Sequence, residues 1–362
     1  MEKNINKIIQ LGFTAHRQGK LVEAESFYRA ILKTQPKNIA INYNLGVFLH
    51  TVGKIKEAEI NYRKVIELKS DYFEAHNNLG LALQGLDKLE DSIECYKKAI
   101  EINPSYAQAY LNLGNILSKF NRIDKKKSLT IPQLEEVEKN YRKAIEFKPD
   151  YLAAYFNLSN TLLKLKRAEE AIAGYIKVIE LKPDYVEAHN NMANILMKLN
   201  KLDEAEASYR KAIKIKPDFA IAHNNLGVIS IKLNKLDEAE VNYRKAIELK
   251  SDYFEAHNNL GLALQGLDKL EDSIECFKKS IEINPNYGEA HYSLGNTLYY
   301  LERLNEAETS YKKALSIDST NKSFITQYGK LLLKQNKNND GLKFISEGQG
   351  VIIFTQSDFK II

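Results

Sequence analysis

The stretch FEAHNNLGLALQGLDKLEDSIEC occupies residues 73–95 and occurs again, unchanged, at residues 254–276. The match extends beyond the stretch, because residues 59–106 align with residues 240–287 over 48 positions with only five differences. A module that contacts only its neighbours can be copied in this way without disturbing the rest of a fold. The copy therefore predicts a chain built from repeated modules.

A shorter period of 34 residues underlies the copy. When one small residue is set at position 8, ten repeats begin at residues 5, 39, 73, 107, 152, 186, 220, 254, 288 and 322, and only the fourth is longer, by 11 residues. Position 24 is Tyr in eight repeats and Phe in one, and six of the seven prolines fall at position 32. Position 8 is glycine in eight repeats: Gly12, Gly46, Gly80, Gly114, Gly227, Gly261, Gly295 and Gly329.

Each repeat is predicted to form two amphipathic helices. Positions 4, 7, 8 and 11 place apolar or small residues on one side of a first helix, and positions 17, 20, 24, 27 and 28 do so on a second. Such a short helix pair cannot bury its apolar face alone, so the repeats are expected to stack.

This pattern resembles the tetratricopeptide repeat, with small residues at positions 8, 20 and 27, an aromatic residue at 24 and proline at 32. The resemblance runs from residue 5 to about residue 355, although position 4 carries His or Tyr where the family usually has Trp. It implies an all-α protein, a right-handed superhelical solenoid of about ten helix-turn-helix repeats over residues 5–350.

Three local features supplement this pattern. The extra residues of repeat four, within about 124–134, are expected to form a loop between its helices that carries Lys125, Lys126 and Lys127. Asp71 and Glu74 predict a capping box before repeat three. The tail at residues 351–362 is β-prone, either a short hairpin or the remnant of a further domain.

Composition and motifs exclude several functions. No window has the roughly 18 apolar residues that span a bilayer, and the start lacks the apolar core of a signal peptide, so a cytoplasmic protein without membrane contact is expected. A net charge of +5 does not predict nucleic-acid binding. Phosphate-loop, GxSxG, CxxC and HExxH motifs are missing, so we expect a non-enzyme without cofactor or metal.

The candidate site lies on the first helices, on the side opposite the core. At 100° per residue, positions 2, 6, 9 and 13 fall on that side, which we call the inner face. Position 6 is asparagine in seven successive repeats, although asparagine is a mediocre helix former. A primary amide can bond both groups of a peptide backbone, so these residues are candidate peptide contacts: Asn44, Asn78, Asn112, Asn157, Asn191, Asn225 and Asn259.

The run of asparagines is similar to the asparagine ladder in the repeat arm of O-linked N-acetylglucosamine transferase and SPINDLY-type proteins. That resemblance implies that the seven amides hold the backbone of a substrate peptide. The alternative is that AHNNLG is a repeat sequence copied by duplication, with amides that bond only water.

Polar and basic residues occupy the middle of the inner face. Position 9 is asparagine in repeats four to six and position 13 is lysine in repeats four to seven, which favours an acidic segment as ligand. The carboxylate clamp of chaperone adaptors is not matched, because Leu111, Phe156 and Asn190 stand where that clamp has a cation. The additional candidate contacts are Asn115, Asn160, Asn194, Lys119, Lys164, Lys198 and Lys232.

The sequence thus predicts a non-enzymatic scaffold that binds another protein or an extended peptide, with acidic side chains as one option. The alternative is the substrate-recruiting arm of a glycosyltransferase-type enzyme whose catalytic domain is missing or separately encoded. Self-association through outer faces or ends is a third option.

Overall fold

The structure is a computed structural model that describes residues 10–12, 14–15, 18–120, 129–349, 352–354 and 359–361. These residues contain 19 helices bounded in full and two short strands. In chain order they are α1 Leu21–Thr34, α2 Ile39–Thr51, α3 Ile55–Leu68, α4 Phe73–Gly85, α5 Leu89–Ile102, α6 Ala107–Phe120, α7 Ile131–Phe147, α8 Leu152–Lys164, α9 Ala168–Leu181, α10 Val186–Lys198, α11 Leu202–Ile215, α12 Ala220–Lys232, α13 Leu236–Leu249, α14 Phe254–Gly266, α15 Leu270–Ile283, α16 Gly288–Tyr300, α17 Leu304–Ile317, α18 Lys322–Lys334, α19 Asn338–Gln349, β1 Ile352–Phe354 and β2 Phe359–Ile361.

The predicted all-α class is confirmed, and the helices follow the 34-residue register. Each even-numbered helix begins at position 1 of its repeat and each odd-numbered helix from α3 to α19, except α7, begins at position 17. Contacts group the chain into two compact parts, Met1–Pro183 and Asp184–Ile362. Among the described residues, no helix is both long enough and apolar enough to cross a membrane.

The turn between the two helices of a repeat has one recurring geometry. In repeat three the N–H of Lys88 bonds the carbonyl oxygen of Leu83 at 2.9 Å, and the N–H of Asp87 bonds that of Gln84 at 3.2 Å. This pair of bonds is the Schellman motif, which requires a left-handed residue between the helices. Position 15 supplies it, with φ of 60° at Asp87 and 79° at Gly53.

In seven repeats the core is an aromatic ring of the second helix that lies on a glycine of the first helix. The position-24 side chains of α5 and α13, Tyr96 and Tyr243, are buried. A Cβ added to Gly80 would lie 2.6 Å from Cε1 of Tyr96, and one added to Gly227 would lie 2.6 Å from Cε1 of Tyr243. Position 8 is therefore small because the ring of the second helix touches the backbone of the first.

Carboxylates on the second helices connect successive repeats. Glu59 in α3 accepts hydrogen bonds from Arg63, one turn later, and from Lys88 just before the second helix of repeat three, with its carboxylate 3.1 Å from the Lys88 ammonium. The same arrangement recurs at position 21 in Glu25, Glu138, Glu206, Glu240 and Glu308.

Two local expectations were wrong. Residues 131–133, assigned to the inserted loop, form the first turn of α7, where the side chain of Gln133 accepts a bond from the N–H of Thr130 at 2.9 Å. The N-cap of α4 is Tyr72 and makes no side-chain capping bond, because the helix begins one residue too late for Asp71 to be its cap. Lys125, Lys126 and Lys127 lie outside the described residues.

The tail contains the two strands. They pair antiparallel, with Ile352 opposite Ile361 and Phe354 opposite Phe359.

The ring-on-glycine contact makes a stability prediction. We expect Gly80→Ala to destabilise the protein by roughly 1 kcal/mol or more, because overpacking costs about 1–3 kcal/mol and exceeds the gain of about 1 kcal/mol in helix propensity. The control is Gly85→Ala in the same helix, where an added Cβ would meet only Ile55 at 3.5 Å. Urea unfolding should show Gly85→Ala to be neutral or stabilising, and equal losses in both variants would contradict the packing argument.

The linking carboxylates make stability depend on pH. Hydrogen bonds from Lys312 and other side chains lower the pKa of Glu308 from 4.5 to about 2. A depressed carboxyl pKa stabilises the fold above 4.5, and this contribution is lost as pH falls through the window down to about 2. Glu308→Gln should therefore be less stable at neutral pH and lose less stability on acidification than the unmodified chain, measured by urea midpoints. Glu289→Gln changes the same charge without removing a described ion pair, so it should keep the full pH dependence.

Candidate functional site

The inner face is built from the even-numbered helices. The lysines at position 13, Lys119, Lys164, Lys198 and Lys232, are all exposed. The position-9 asparagines, Asn115, Asn160 and Asn194, are partly buried, as are six of the seven position-6 asparagines. Asn112 is the exception at 6% exposure, so the predicted row of accessible amides is interrupted at repeat four.

The position-6 amides bond other side chains of the protein, which neither interpretation of the sequence anticipated. Asn78 donates to the hydroxyl of Tyr43 in the preceding repeat at 2.9 Å, and Asn157 donates to Oδ1 of Asn115 at 2.8 Å. Asn44 instead donates to the carbonyl of Ala40 in its own helix at 2.7 Å. The first role of this row is thus to join neighbouring repeats.

A second row of asparagines, at position 5, takes part in this network. Asn112 donates to Oδ1 of Asn77 at 2.9 Å, and Asn259 donates to Oδ1 of Asn224 at 3.1 Å. Within repeat six, Asn190 donates to Oδ1 of Asn191 at 3.3 Å. The two adjacent asparagines in AHNNLG could have indicated from the sequence that amides bond one another between repeats. Their side chains stand at positions 5 and 6 and therefore have different neighbours.

The network leaves two position-5 oxygens, those of Asn190 and Asn258, without a donor among the described residues. Asn258 occupies position 5 of repeat eight, is 3% exposed, and its Oδ1 has no partner among the described residues. In the equivalent place, Asn77 accepts from Asn112. Repeat nine has Ser293 at position 6, and a serine side chain is too short to replace that amide.

The position-9 asparagines are oriented by the core tyrosines. Tyr141 donates its hydroxyl to Oδ1 of Asn115 at 3.0 Å, and the same oxygen accepts from Asn157. In the second part, Tyr209 and Asn225 both donate to Oδ1 of Asn194. A carbonyl oxygen has two lone pairs. Both are used at Asn115 and at Asn194, so the NH₂ groups are the remaining hydrogen-bonding groups of these two amides.

Five candidate residues meet in one depression within the first part. It has a volume of about 490 Å³ and is lined by two lysines, three asparagines and the hydroxyls of neighbouring residues. Burial raises the pKa of Tyr141 to about 12, so its phenol stays neutral and donates. The lining is Asn115, Ser118, Lys119, Tyr141, Asn157, Asn160, Thr161 and Lys164.

The second part repeats this chemistry without the third amide. Asn194 and Asn225 are bonded to each other at 3.2 Å, and Lys198 and Lys232 end the helices that carry them. Lys198 and Lys232 have no ion pair among the described residues. Their charge is therefore available to an anionic ligand.

The histidines at position 4 have a structural role in the repeats where their bonds are described. Nε2 of His76 bonds the carbonyl oxygen of Ser70 at 2.9 Å, and His223, His257 and His291 make the same bond six residues back. No group of side chains suited to hold a metal ion occurs among the described residues. Cys95 and Cys276 are half-buried, and burial raises the pKa of each thiol to about 11.

Comparison with protein families agrees with this architecture. A family model described as TPR repeat matches residues 50–87, 86–119, 160–200 and 229–268. Two models described as tetratricopeptide repeat match residues 186–219, 254–287 and 288–321, and residues 140–173 and 208–241. Together they cover most of the chain, which belongs to the tetratricopeptide repeat family. Proteins of this family are protein-interaction scaffolds.

Several solved structures are similar. The APC/C hetero-tetramer Cut9–Hcn1 has 11% identity and a TM-score of 0.52, with coverage of 95% of this chain and 93% of that chain. YrrB, described as a TPR protein with an unusual peptide-binding site, has 25% identity, covers 54% and 97%, and has a TM-score of 0.44. Yeast Tom70 has 14% identity, 96% and 92% coverage, and a TM-score of 0.45. No curated protein matches the sequence significantly.

The missing donor beside Asn258 can be tested by exchanging position 6 between the two repeats that follow the copied regions. Ser293→Asn should stabilise the protein by roughly 1 kcal/mol, because a buried acceptor without a partner costs about 1–3 kcal/mol. Asn112→Ser should destabilise by a similar amount, because it removes the donor to Asn77. Urea unfolding measures both effects, and hydrogen exchange of α16 should slow in Ser293→Asn. Unchanged exchange and stability would show that the acceptor is satisfied by solvent.

Proposed function

We propose that this protein is a non-enzymatic scaffold that binds an extended peptide segment on the inner face, and that the segment carries acidic side chains. The proposal concerns the inner face of each part separately. It adds to the scaffold role of the family one class of ligand, an extended peptide segment with acidic side chains.

The observation that carries the proposal is the orientation of Asn115 and Asn194. Each has its oxygen occupied by a tyrosine hydroxyl and by the amide of the next repeat, so each turns NH₂ donors toward a ligand. Donors beside lysine ammonium groups favour carboxylates and backbone carbonyls. If the inner face instead presented carbonyl oxygens without partners, it would favour a ligand with positive charge.

The position-6 amides supply the second kind of contact. Asn157 uses one N–H in its bond to Asn115, which leaves one N–H and its oxygen for a peptide backbone. Because that bond restrains its side chain in advance, a ligand does not have to order the amide on binding.

The lysines supply charge without a fixed geometry. Lys119 and Lys164 line the same depression as Asn115 and Asn157. Both are exposed, so their attraction for an acidic segment is screened by salt. Binding should therefore weaken as ionic strength rises.

A second candidate function rests on the asparagine row alone. Its similarity to the ladder of O-linked N-acetylglucosamine transferase favours a substrate-recruiting arm that works with a separate catalytic domain. The bound segment would then be an enzyme substrate. A cytoplasmic location suits either candidate.

The test is binding of an unbiased library of extended peptides at low and moderate salt. The unmodified chain should select acidic peptides. The double substitution Lys119→Gln and Lys164→Gln should weaken their binding by roughly three- to tenfold, because exposed charge pairs contribute about 0.2–1 kcal/mol each. Asn157→Asp should weaken it further, because the change replaces a donor with a negative charge.

The control is Lys97→Gln with Lys98→Gln, which removes the same charge from exposed positions on a second helix. It should leave peptide binding unchanged. Equal loss of peptide binding in both double variants would show that binding depends only on the net charge of the protein. Absence of any peptide selection would contradict the proposed function.

A further inference from the structure

Three large apolar side chains are exposed on the inner face of repeats seven to nine. Ile221 is 46% exposed, Leu262 is 42% exposed and Tyr300 is 70% exposed. They occupy positions 2, 9 and 13 of α12, α14 and α16, and these positions lie within 40° of each other around a helix axis at 100° per residue. We call these three residues the apolar strip.

Leu262 is followed one turn later by Gly266. In repeats six and seven the equivalent positions carry Lys198 and Lys232. A Cβ on Gly266 would lie 3.1 Å from Cδ1 of Leu236, so the helix is in close contact there. Position 13 of repeat eight therefore carries no side chain, between the repeats that carry Lys232 and Tyr300.

The apolar strip adjoins the polar part of the inner face within the same compact part. The first helices of consecutive repeats contact one another from α10 to α16. Asn194 and Lys198 therefore lie in the helix next to that of Ile221 and Lys232, and Leu262 lies in the helix that follows. One bound segment can reach both regions, because adjacent helices are roughly 8–10 Å apart, about three residues of extended chain.

We propose that the apolar strip takes bulky apolar side chains of the same segment whose acidic residues contact Lys198 and Lys232. This inference rests on the proposed function and adds a sequence requirement. The ligand is an extended segment in which acidic residues are followed or preceded, about three residues away, by leucine-sized or aromatic residues. The lysines favour acidic residues at one end of the segment. Burial against Leu262 and Tyr300 favours apolar residues at the other end.

Peptide probes test this requirement. Three labelled peptides of equal length are compared by fluorescence anisotropy: one acidic with bulky apolar residues, one acidic with serine at the apolar sites, and one with the apolar residues but no acids. Both orders of the two halves are included. We expect the first to bind at least about tenfold more tightly than the second, because the burial of even one large apolar side chain favours binding by about that factor.

The protein variants use side chains that the chain already has at equivalent positions. Leu262→Asn copies position 9 of repeat six, and Tyr300→Lys copies position 13 of repeat seven. Each should reduce the preference for the apolar peptide, and together they should abolish it while acidic peptides still bind. Thermal unfolding followed by circular dichroism checks that the variants fold.

The duplicated stretch provides the matched control. Leu81→Asn makes the same change in the same local sequence, but the neighbouring repeats there carry Ala40 and Lys119 where the apolar strip has Ile221 and Tyr300. It should leave the preference intact.

Two results would overturn the inference separately from the proposed function. Equal affinity for the first two peptides shows that acidic segments bind without the apolar strip. Equal effects of Leu81→Asn and Leu262→Asn place the preference elsewhere. If no acidic peptide binds, the proposed function fails and the inference fails with it.

Discussion

The contact between an aromatic ring and a glycine backbone is the constraint on which most of the repeats depend. The ring of Tyr96 lies so close to Gly80 that no side chain fits between the two helices. This close approach fixes how the first and second helices pack, and hence which side of each first helix remains uncovered. The ring also reaches the inner face, because the hydroxyls of Tyr141 and Tyr209 bond the asparagines at position 9.

The asparagines connect neighbouring repeats and also orient the groups of the proposed binding surface. A bond such as Asn157 to Asn115 joins two repeats and determines which amide groups remain for the proposed ligand. Linking carboxylates such as Glu59 join the same repeats on the second helices. Because the two kinds of link lie on different helices, the chemistry of the inner face can change between repeats without loss of the stack. The change from lysine at position 232 to glycine at 266 and tyrosine at 300 is one example.

Much of the fold could be predicted because the 34-residue period is local information. Helices α2 to α6 begin at the residues that the register indicates, since apolar periodicity sets both the start and the buried side of a helix. The start of α7 and the cap of α4 were mispredicted, because both depend on where the chain enters a helix after a turn. The left-handed residue at position 15 could have been recognised from Asn, Asp and Gly at Asn200, Asp87 and Gly53.

By itself the sequence determined the repeat, its helices and the residues that face away from the core, because these follow from spacing along one chain. The candidate site was predictable only as a set of positions. Tertiary structure decided what those side chains do: Asn112 is buried, Oδ1 of Asn115 accepts from Tyr141, and Oδ1 of Asn258 has no partner among the described residues. Each outcome depends on a residue in another helix or another repeat, and hydrogen-bond pairing across that distance is set by packing and not by periodicity.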